Sequence, residues 1–426
     1  MMNTDHGNDD KRERMSPDQA SNLWQRLLGG HREEIKPEHN TWAHFLPEGC
    51  RRCLLGGRLC LTVGEKCHKG CFYCSNPMES DLVRADEFTI NSDDELLRLV
   101  RYSAPDAVCL TGGEPTLYMA RAAHYAALLR EECGPDFHIQ LFTANAEMTS
   151  EQMRRMRDAG VDEIRCHLAS YKEAPLVARA RELDWTVAVE VPSLPIADIT
   201  DRIVEQAIEL GAEFVNLHEL LFFEHEDFQR VAKRTDLQPG EPLSRKIPYE
   251  PQPGRIFGTD IPARFGTTLR PTLGSREKAE AMMKKTLETP GSRTAVHFCS
   301  MASKYLTQIP NRLARKARSL RRPCEDISPD GTLVSAVIRT DEQTMGRVRE
   351  LLDTAFRLDG EKVIQENGML QVPWTVALKK SRFGDLLDRL EISLYERYPV
   401  PGDSRMSEDG IYIVFDSLST AEHLER

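Results

Sequence analysis

Residues 59–74 read LCLTVGEKCHKGCFYC. The opening five residues, LCLTV, form a short apolar run of the strand type. The glycine and charged residues that follow end it, so Cys67, Cys71 and Cys74 fall in a loop at the strand's carboxyl end. Comparable runs recur at AVCLT (107–111), HIQLFT (138–143), EIRCHL (163–168), TVAVEV (186–191) and FVNLHEL (214–220), with helical patterns between them. Alternation of this kind is the mark of strand–helix units built on a parallel sheet. Ser92 with Glu95 and Thr149 with Gln152 have capping-box spacing, and Gly160 and Gly211 stand where helices end. Six such units predict an α/β fold, a partial (β/α)6 TIM-like barrel, over residues 46–235.

The rhythm breaks after residue 235. PGEPLSRKIPYEPQPGRIFG (239–258) is rich in Pro and Gly, so residues 236–325 read as a linker or lid that contains Cys299 and the basic segment NRLARKARSLRR (311–322). Arg312, Arg315, Arg318 and Arg322 recur there at helical spacing, as one charged face would. Residues 326–426 read as strand (LVSAVI), helix (EQTMGRVRELLDTAF), two strands (EKVIQE and LQVPWTVAL), helix (SRFGDLLDRLEISLYERY) and strand (GIYIVF), an accessory α+β domain of ferredoxin-like type. Residues 1–45 are a polar amino-terminal extension without the apolar core of a secretory signal, which predicts a cytoplasmic location.

A chain of 426 residues with 40% hydrophobic and 29% charged residues has the composition of a soluble protein, and no apolar run approaches membrane-spanning length. The net charge of −11 argues against broad nucleic-acid binding. Six of the eleven cysteines lie between Cys50 and Cys74. Such clustering in a cytoplasmic chain points to metal binding or chemistry rather than to a disulfide scaffold. A cubane iron–sulfur cluster is commonly held by four thiolates, so three cysteines in one loop leave one iron open to an exogenous ligand. The competing reading is a zinc ribbon, an interaction module without catalysis, made from Cys50-x2-Cys53 and Cys71-x2-Cys74; it leaves Cys67 without a role.

With Tyr73 before the third cysteine, the loop resembles the CxxxCxΦC motif of the radical S-adenosylmethionine (SAM) superfamily, and TGGEPTL (111–117) resembles that superfamily's GGEP segment. The resemblance implies a [4Fe-4S] cluster on Cys67, Cys71 and Cys74 that cleaves SAM reductively to a 5'-deoxyadenosyl radical, which takes hydrogen from a substrate. It implies Tyr73 beside the adenine and Gly112, Gly113, Glu114 and Pro115 as the segment that anchors SAM. Thr143 and Asn145, in FTANAEM, loosely resemble the family's TNG-like segment, whereas the GxIxGxxE pattern on the fifth strand is absent. DEIRCHLAS (162–170), VAVEVPSLP (187–195), EFVNLHELLFFEHE (213–226) and VHFCSMASKYLTQIPNRLARKA (296–317) are similar to a group related to pyruvate formate-lyase activating enzyme. An external electron donor such as flavodoxin or ferredoxin is implied as partner.

Strand alternation puts Arg165 and His167 on one face of the fourth strand, Glu190 on a polar face of the fifth, and Asn216 and His218 on one face of the sixth. In a barrel these faces point inward, which makes Arg165, His167, Asn216 and His218 candidates for a substrate pocket and Glu190 a candidate contact for ribose or substrate; an interior hydrogen-bond network is the alternative. Cys50, Cys53 and Cys299 are a candidate set for a second, auxiliary iron–sulfur cluster, in competition with a zinc site or buried thiols. The substrate classes left open are peptide or protein, including a glycyl-radical enzyme to be activated, RNA through the basic segment, and a small molecule.

Overall fold

A computed structural model describes residues 12–15, 24–25, 27–74, 80–86, 88–168, 174–183, 185–196, 199–222, 236–240, 270–366, 368–397, 399 and 411–415. The six expected strands are present: β1 (Arg58–Thr62), β2 (Ala107–Thr111), β3 (His138–Thr143), β4 (Glu163–His167), β5 (Thr186–Ser193) and β6 (Phe214–Glu219). Each pairs in parallel with the next, in chain order. Parallel neighbours need a crossover, supplied by α2 (Asp93–Ser103), α3 (Met119–Cys133), α4 (Ser150–Asp158), α5 (Pro175–Glu182) and α6 (Ile199–Glu209). The caps on α2 and α4 form as expected: Ser92 accepts from the Glu95 amide, and Thr149 and Gln152 complete a reciprocal capping box.

The sheet does not end at the sixth unit. After Gly274, α7 (Ser275–Glu288) leads into β7 (Ala295–Cys299), which pairs in parallel with β6. The span 236–325 is therefore not all linker or lid, because α7 and β7 add a seventh strand–helix unit. The stretch that ended the sequence pattern interrupts the sheet's connectivity without ending the sheet. Of that Pro- and Gly-rich stretch, the part beyond Gly240 lies outside the described residues. The ten-stranded sheet is completed by antiparallel strands at its two edges, Thr41–Ala43 on β7 and the hairpin Val83–Ala85 and Phe88–Ile90 on β1. It is thus an open, partial barrel.

Alternation along the strands divides the interior. Val108, Leu110, Ile139, Leu141, Ile164, Val187, Val189, Val215, Leu217, Val296 and Phe298 face the helices and join one apolar core. The inward positions carry polar groups, and the ladder sets them in rows: His167 beside Glu190, Glu190 beside Asn216, Asn216 beside His297, and His218 beside Cys299. A short helix, α1 (Glu48–Leu54), precedes β1. Gly49 lets it press against the barrel interior: a Cβ there would lie 1.8 Å from Gln140 Nε2 and 2.8 Å from Arg165 Nη2.

The chain divides into two compact units, with described residues from Glu34 to Ile309 in the barrel unit and those up to Glu33 and from Pro310 onward in the other. In the second unit, β8 (Leu333–Arg339) pairs antiparallel with β10 (Met369–Val372) and β11 (Glu391–Arg397), and β9 (Ile364–Glu366) flanks β10. The order β11-β8-β10-β9, with α9 (Glu342–Thr354) between β8 and β9, is the split βαβ arrangement of ferredoxin-like sheets. Strand β12 (Ile411–Phe415) and the segment Arg12–Met15 extend it beyond β11.

Two expected elements differ. LQVPWTVAL is a strand only to Val372, because Pro373 cannot donate to a ladder, and a helical turn Thr375–Leu378 follows. SRFGDLLDRLEISLYERY is not one helix: a 3-10 run Lys380–Arg389, broken at Gly384 with φ 57°, gives way to β11, where Ile392 and Leu394 face one core and Tyr395 the opposite side. The basic segment lies mostly in helix α8 (Ile309–Leu320) but is not a solvated charged face. Arg315 and Arg318 both pair with Glu33, Arg322 pairs with Glu366, and Lys316 is buried.

Candidate active site

The cysteine loop is held in place by the loop after β2. Beyond the β1–β2 ladder the backbone keeps pairing: Val63 N donates to Thr111 O, Gly113 N to Gly64 O and Glu114 N to Lys66 O, each at 2.9 Å. A Cβ on Gly113 would lie 2.2 Å from the Lys66 carbonyl oxygen. Both glycines of the GGEP segment are therefore required for contact with the chain entering Cys67, since Gly112 adopts φ 131° and a Cβ there would meet Gly64 O at 2.3 Å. Gly113→Ala is expected to lower the iron bound per chain severalfold after anaerobic reconstitution. An unchanged iron assay in that variant would show that the loop does not depend on this contact.

Glu114 is fully buried. Its carboxylate accepts from Thr116 N (3.0 Å), Thr116 Oγ1 (2.7 Å), Thr143 Oγ1 (2.7 Å) and Ala144 N (2.7 Å). Four donors occupy most of a carboxylate's acceptor sites, so in this arrangement Glu114 ties the end of β2 to the end of β3. Pro115 opens the 3-10 turn that Glu114 caps, and Asn145 Nδ2 donates to Thr116 Oγ1 at 3.0 Å. On the far side of the loop, Lys66 pairs with Asp81 at 2.9 Å, and Tyr118 donates to Asp81 at 2.6 Å.

Cys67, Cys71 and Cys74 are half-buried on that loop. The Lys69 amide donates to Cys67 Sγ at 3.3 Å, and burial raises the Cys67 pKa. Among the described residues no three His, Cys, Asp or Glu side chains are gathered as a metal-holding group, so the loop presents its thiols without converging them. The donor set nonetheless fits a cubane with one open iron: three thiols on one loop, beside a glycine-made cradle, at the strand ends where barrel active sites form. Tyr73, in the same loop, shares a 3.0 Å hydrogen bond with His167 Nε2 at the end of β4. That contact joins the cysteine loop to a cavity of about 270 Å³ lined by Tyr73, His167, Glu190, His218, Glu219 and Lys304 among others.

Below the cavity lies a charged interior. Arg165 is completely buried, with its guanidinium between the rings of Phe142 and Phe214, 5.4 and 4.9 Å from their centroids. It pairs with Glu163 and Glu190 and donates to Cys50 Sγ at 3.5 Å. Glu190 also pairs with His218 and accepts from Asn216 at 2.8 Å, and Asn216 Oδ1 meets His297 Nδ1 at 2.7 Å. Burial disfavours every charge here, but the pairs outweigh it. His218 and Arg165 hold the Glu190 carboxyl far below the usual range, and Glu190 and Cys299 bring His218 up to about 9. Burial, with Arg165 and His218 nearby, keeps His297 neutral, at about 3. Arg165, His167, Glu190, Asn216 and His218 are thus brought together, with Arg165 and Asn216 hydrogen bonded inside the barrel to Glu190.

Cys50, Cys53 and Cys299 are not gathered into a metal-holding group. Cys50 is buried against Arg165, its pKa pushed up to about 12 by burial, while Cys299 ends β7 with a hydrogen bond to His218. The same separation leaves the zinc-ribbon pairing of Cys50 and Cys53 with Cys71 and Cys74 unformed. Sequence reading missed Glu163, His297 and Lys304. The first two were accessible by alternation, two residues before Arg165 and Cys299; Lys304 carried no such signal, because it stands in an irregular π-helical turn, Ser303–Gln308.

Residues 61–194 match the family model described as the radical SAM superfamily, and the chain is a radical SAM enzyme. When bound, the [4Fe-4S] cluster supplies reductive cleavage of SAM to a 5'-deoxyadenosyl radical. The chain is 26% identical over 396 residues, 86% of this chain and 96% of the other, to a Methanocaldococcus jannaschii protein named as a candidate glycyl-radical enzyme activating enzyme. It is also 28% identical over 174 residues to a PqqA peptide cyclase of Streptomyces rochei, covering 37% of this chain and 46% of that one. Among solved structures, coproporphyrinogen III oxidase of Escherichia coli aligns with a TM-score of 0.31 at 13% identity over 49% of this chain and 55% of that one. A radical SAM methyltransferase of Kitasatospora setae aligns at 0.36 and 14% over 57% and 54%. The fold assignment rests on the strand order described above. No helix among the described residues is long and apolar enough to cross a membrane.

Proposed function

We propose that the enzyme takes hydrogen from a polypeptide, one residue of which enters the cavity at the carboxyl ends of β4, β5 and β6. The observation that carries this reading is the Tyr73–His167 hydrogen bond, which sets the cysteine loop against an open cavity where Glu190, His218 and Lys304 stand among apolar side chains. A cavity of about 270 Å³ is the size of a side chain with its adjoining backbone rather than of a large ligand. The named activities of the two sequence relatives, an activating enzyme and a peptide cyclase, support a polypeptide. RNA loses support, because three of the four arginines that suggested it, Arg315, Arg318 and Arg322, are engaged by Glu33 and Glu366.

In this reading Gly112, Gly113, Glu114, Pro115, Thr143 and Asn145 shape the SAM side of the site, with Glu114 as its brace. Glu190 and His218 face the substrate, and the setting is cytoplasmic. Each cleavage consumes one electron, which a donor of flavodoxin or ferredoxin type would supply.

The test uses reconstituted, dithionite-reduced enzyme with SAM and a macromolecular fraction from the source cells, reading 5'-deoxyadenosine. Stimulation above the substrate-free rate should disappear when the fraction is treated with protease and survive ribonuclease. Stimulation that is lost to ribonuclease and survives protease would sink the polypeptide reading in favour of RNA.

A further inference from the structure

Next to the cavity, behind its lining residue His218, stands one group that the functional reading does not use. On the inner face of β7, Cys299 stands across the parallel ladder from His218 and is hydrogen bonded to it. Behind His218 is its ion pair with Glu190, and Lys304, from the π-helical turn after β7, stands on the same cavity wall as His218 and Glu190. Single π turns tend to occur where a helix has been widened for function. Cys299 is half-buried, whereas Cys50, Cys53, Cys109, Cys166 and Cys324 are buried. Two residues back on the same face, His297 Nε2 is buried without a hydrogen-bond partner among the described residues, a polar atom left over beside the same row of groups.

We propose that Cys299 is a nucleophilic thiol beside the active-site cavity and a site of covalent modification by soft carbon electrophiles that reach it past His218 and Lys304, with His218 as its positioning residue. The sulfur attacks the electrophilic carbon and a C–S bond forms from the sulfur's electron pair. The leaving group departs with the electrons of the broken bond; the thiol proton has gone to solvent beforehand, and the thiolate is held beside the already protonated His218. Charge supports the geometry: burial raises the thiol, but Lys304 and His218 outweigh it and bring Cys299 down to about 7. A thiolate, not a thiol, is the nucleophile, so a group that is half ionised near neutrality reacts ahead of ordinary cysteines. The proposal rests on the functional reading only in taking this cavity as the substrate site.

The test is cysteine-resolved alkylation of the holoenzyme, reconstituted so that the cluster cysteines are occupied. The protein is treated anaerobically at neutral pH with limiting iodoacetamide, and each cysteine is quantified by mass spectrometry after digestion. Cys133 is the internal reference, a half-buried thiol whose pKa burial raises. Cys299 should be labelled about five- to tenfold faster, the gain in thiolate fraction being partly offset by the weaker intrinsic nucleophilicity of a more acidic thiol. His218→Asn should remove most of that advantage and leave the Cys133 rate unchanged. Lys304→Met is the second variant, with the same expected direction, should the first perturb folding. Labelling of Cys299 at the Cys133 rate, or an advantage that survives both substitutions, would overturn the proposal. No SAM enters the measurement, so an enzyme that failed to form 5'-deoxyadenosine would refute the functional reading without touching this result.

Discussion

Cys67→Ala, Cys71→Ala and Cys74→Ala are each expected to lose 5'-deoxyadenosine formation by about a thousandfold or more and to retain little of the roughly four irons a cubane contributes. The expectation follows from the donor count. Three thiols on one loop leave no spare ligand, and no other group of His, Cys, Asp or Glu is assembled among the described residues to replace a lost one. The informative control is Cys50→Ala, which should keep its iron, because Cys50 is a buried, protonated thiol that accepts from Arg165 rather than a free ligand. A zinc ribbon makes the opposite forecast, with Cys50 and Cys53 as necessary as Cys71 and Cys74, Cys67 dispensable, and zinc in place of iron. Iron analysis of the Cys50 and Cys67 variants side by side therefore separates the two readings.

What could be read in the sequence depended on which physical signal each element carries. Period-two alternation exposed the six barrel strands and the inward polar faces of Arg165, Glu190 and His218, since the outward faces must be apolar to meet the helices. The seventh strand escaped because a long connection rich in Pro and Gly separates β6 from α7, and local pattern carries no information about a strand that rejoins a sheet after such an interval. In the second unit the split βαβ order was legible, but β11 was mistaken for helix. GDLLDRLEISLYER can be read with either period, and only the pairing of β11 with β8 decides between them. The cysteine loop was legible as chemistry because three thiols at that spacing have few other uses. The partnership of Cys50 was not: a CxxC motif resembles a metal site until Gly49 is seen to press its helix onto Gln140 and Arg165.

Arg165 is where the second large effect is expected. Arg165→Met preserves bulk and removes the charge, leaving Glu190 with His218 and Glu163 with His138 and Gln140, each having lost the guanidinium it shared. Breaking a buried pair by deleting one partner typically costs about 3–5 kcal/mol, far more than the pair's net worth, because the remaining charge stays desolvated. Chemical unfolding of the barrel unit should register a loss of that order near neutral pH. Glu190 is held below the usual carboxylate range in the native protein, so its contribution is present above the unfolded value and declines only in acid. Arg165→Lys should not restore stability: the guanidinium is within 5.4 Å of the Phe142 and Phe214 ring centroids while donating to Glu163, Glu190 and Cys50, and a single ammonium cannot reproduce that fork. Adding Glu190→Gln to Arg165→Met should recover part of the loss by removing one of the two stranded carboxylates, and its shortfall from full recovery measures what Glu163 still costs. A single Arg165→Met variant within about 1 kcal/mol of the parent would mean that the surrounding carboxylates are neutralised by other means, and that the charged interior beneath the cavity does not set the positions of Glu190 and His218.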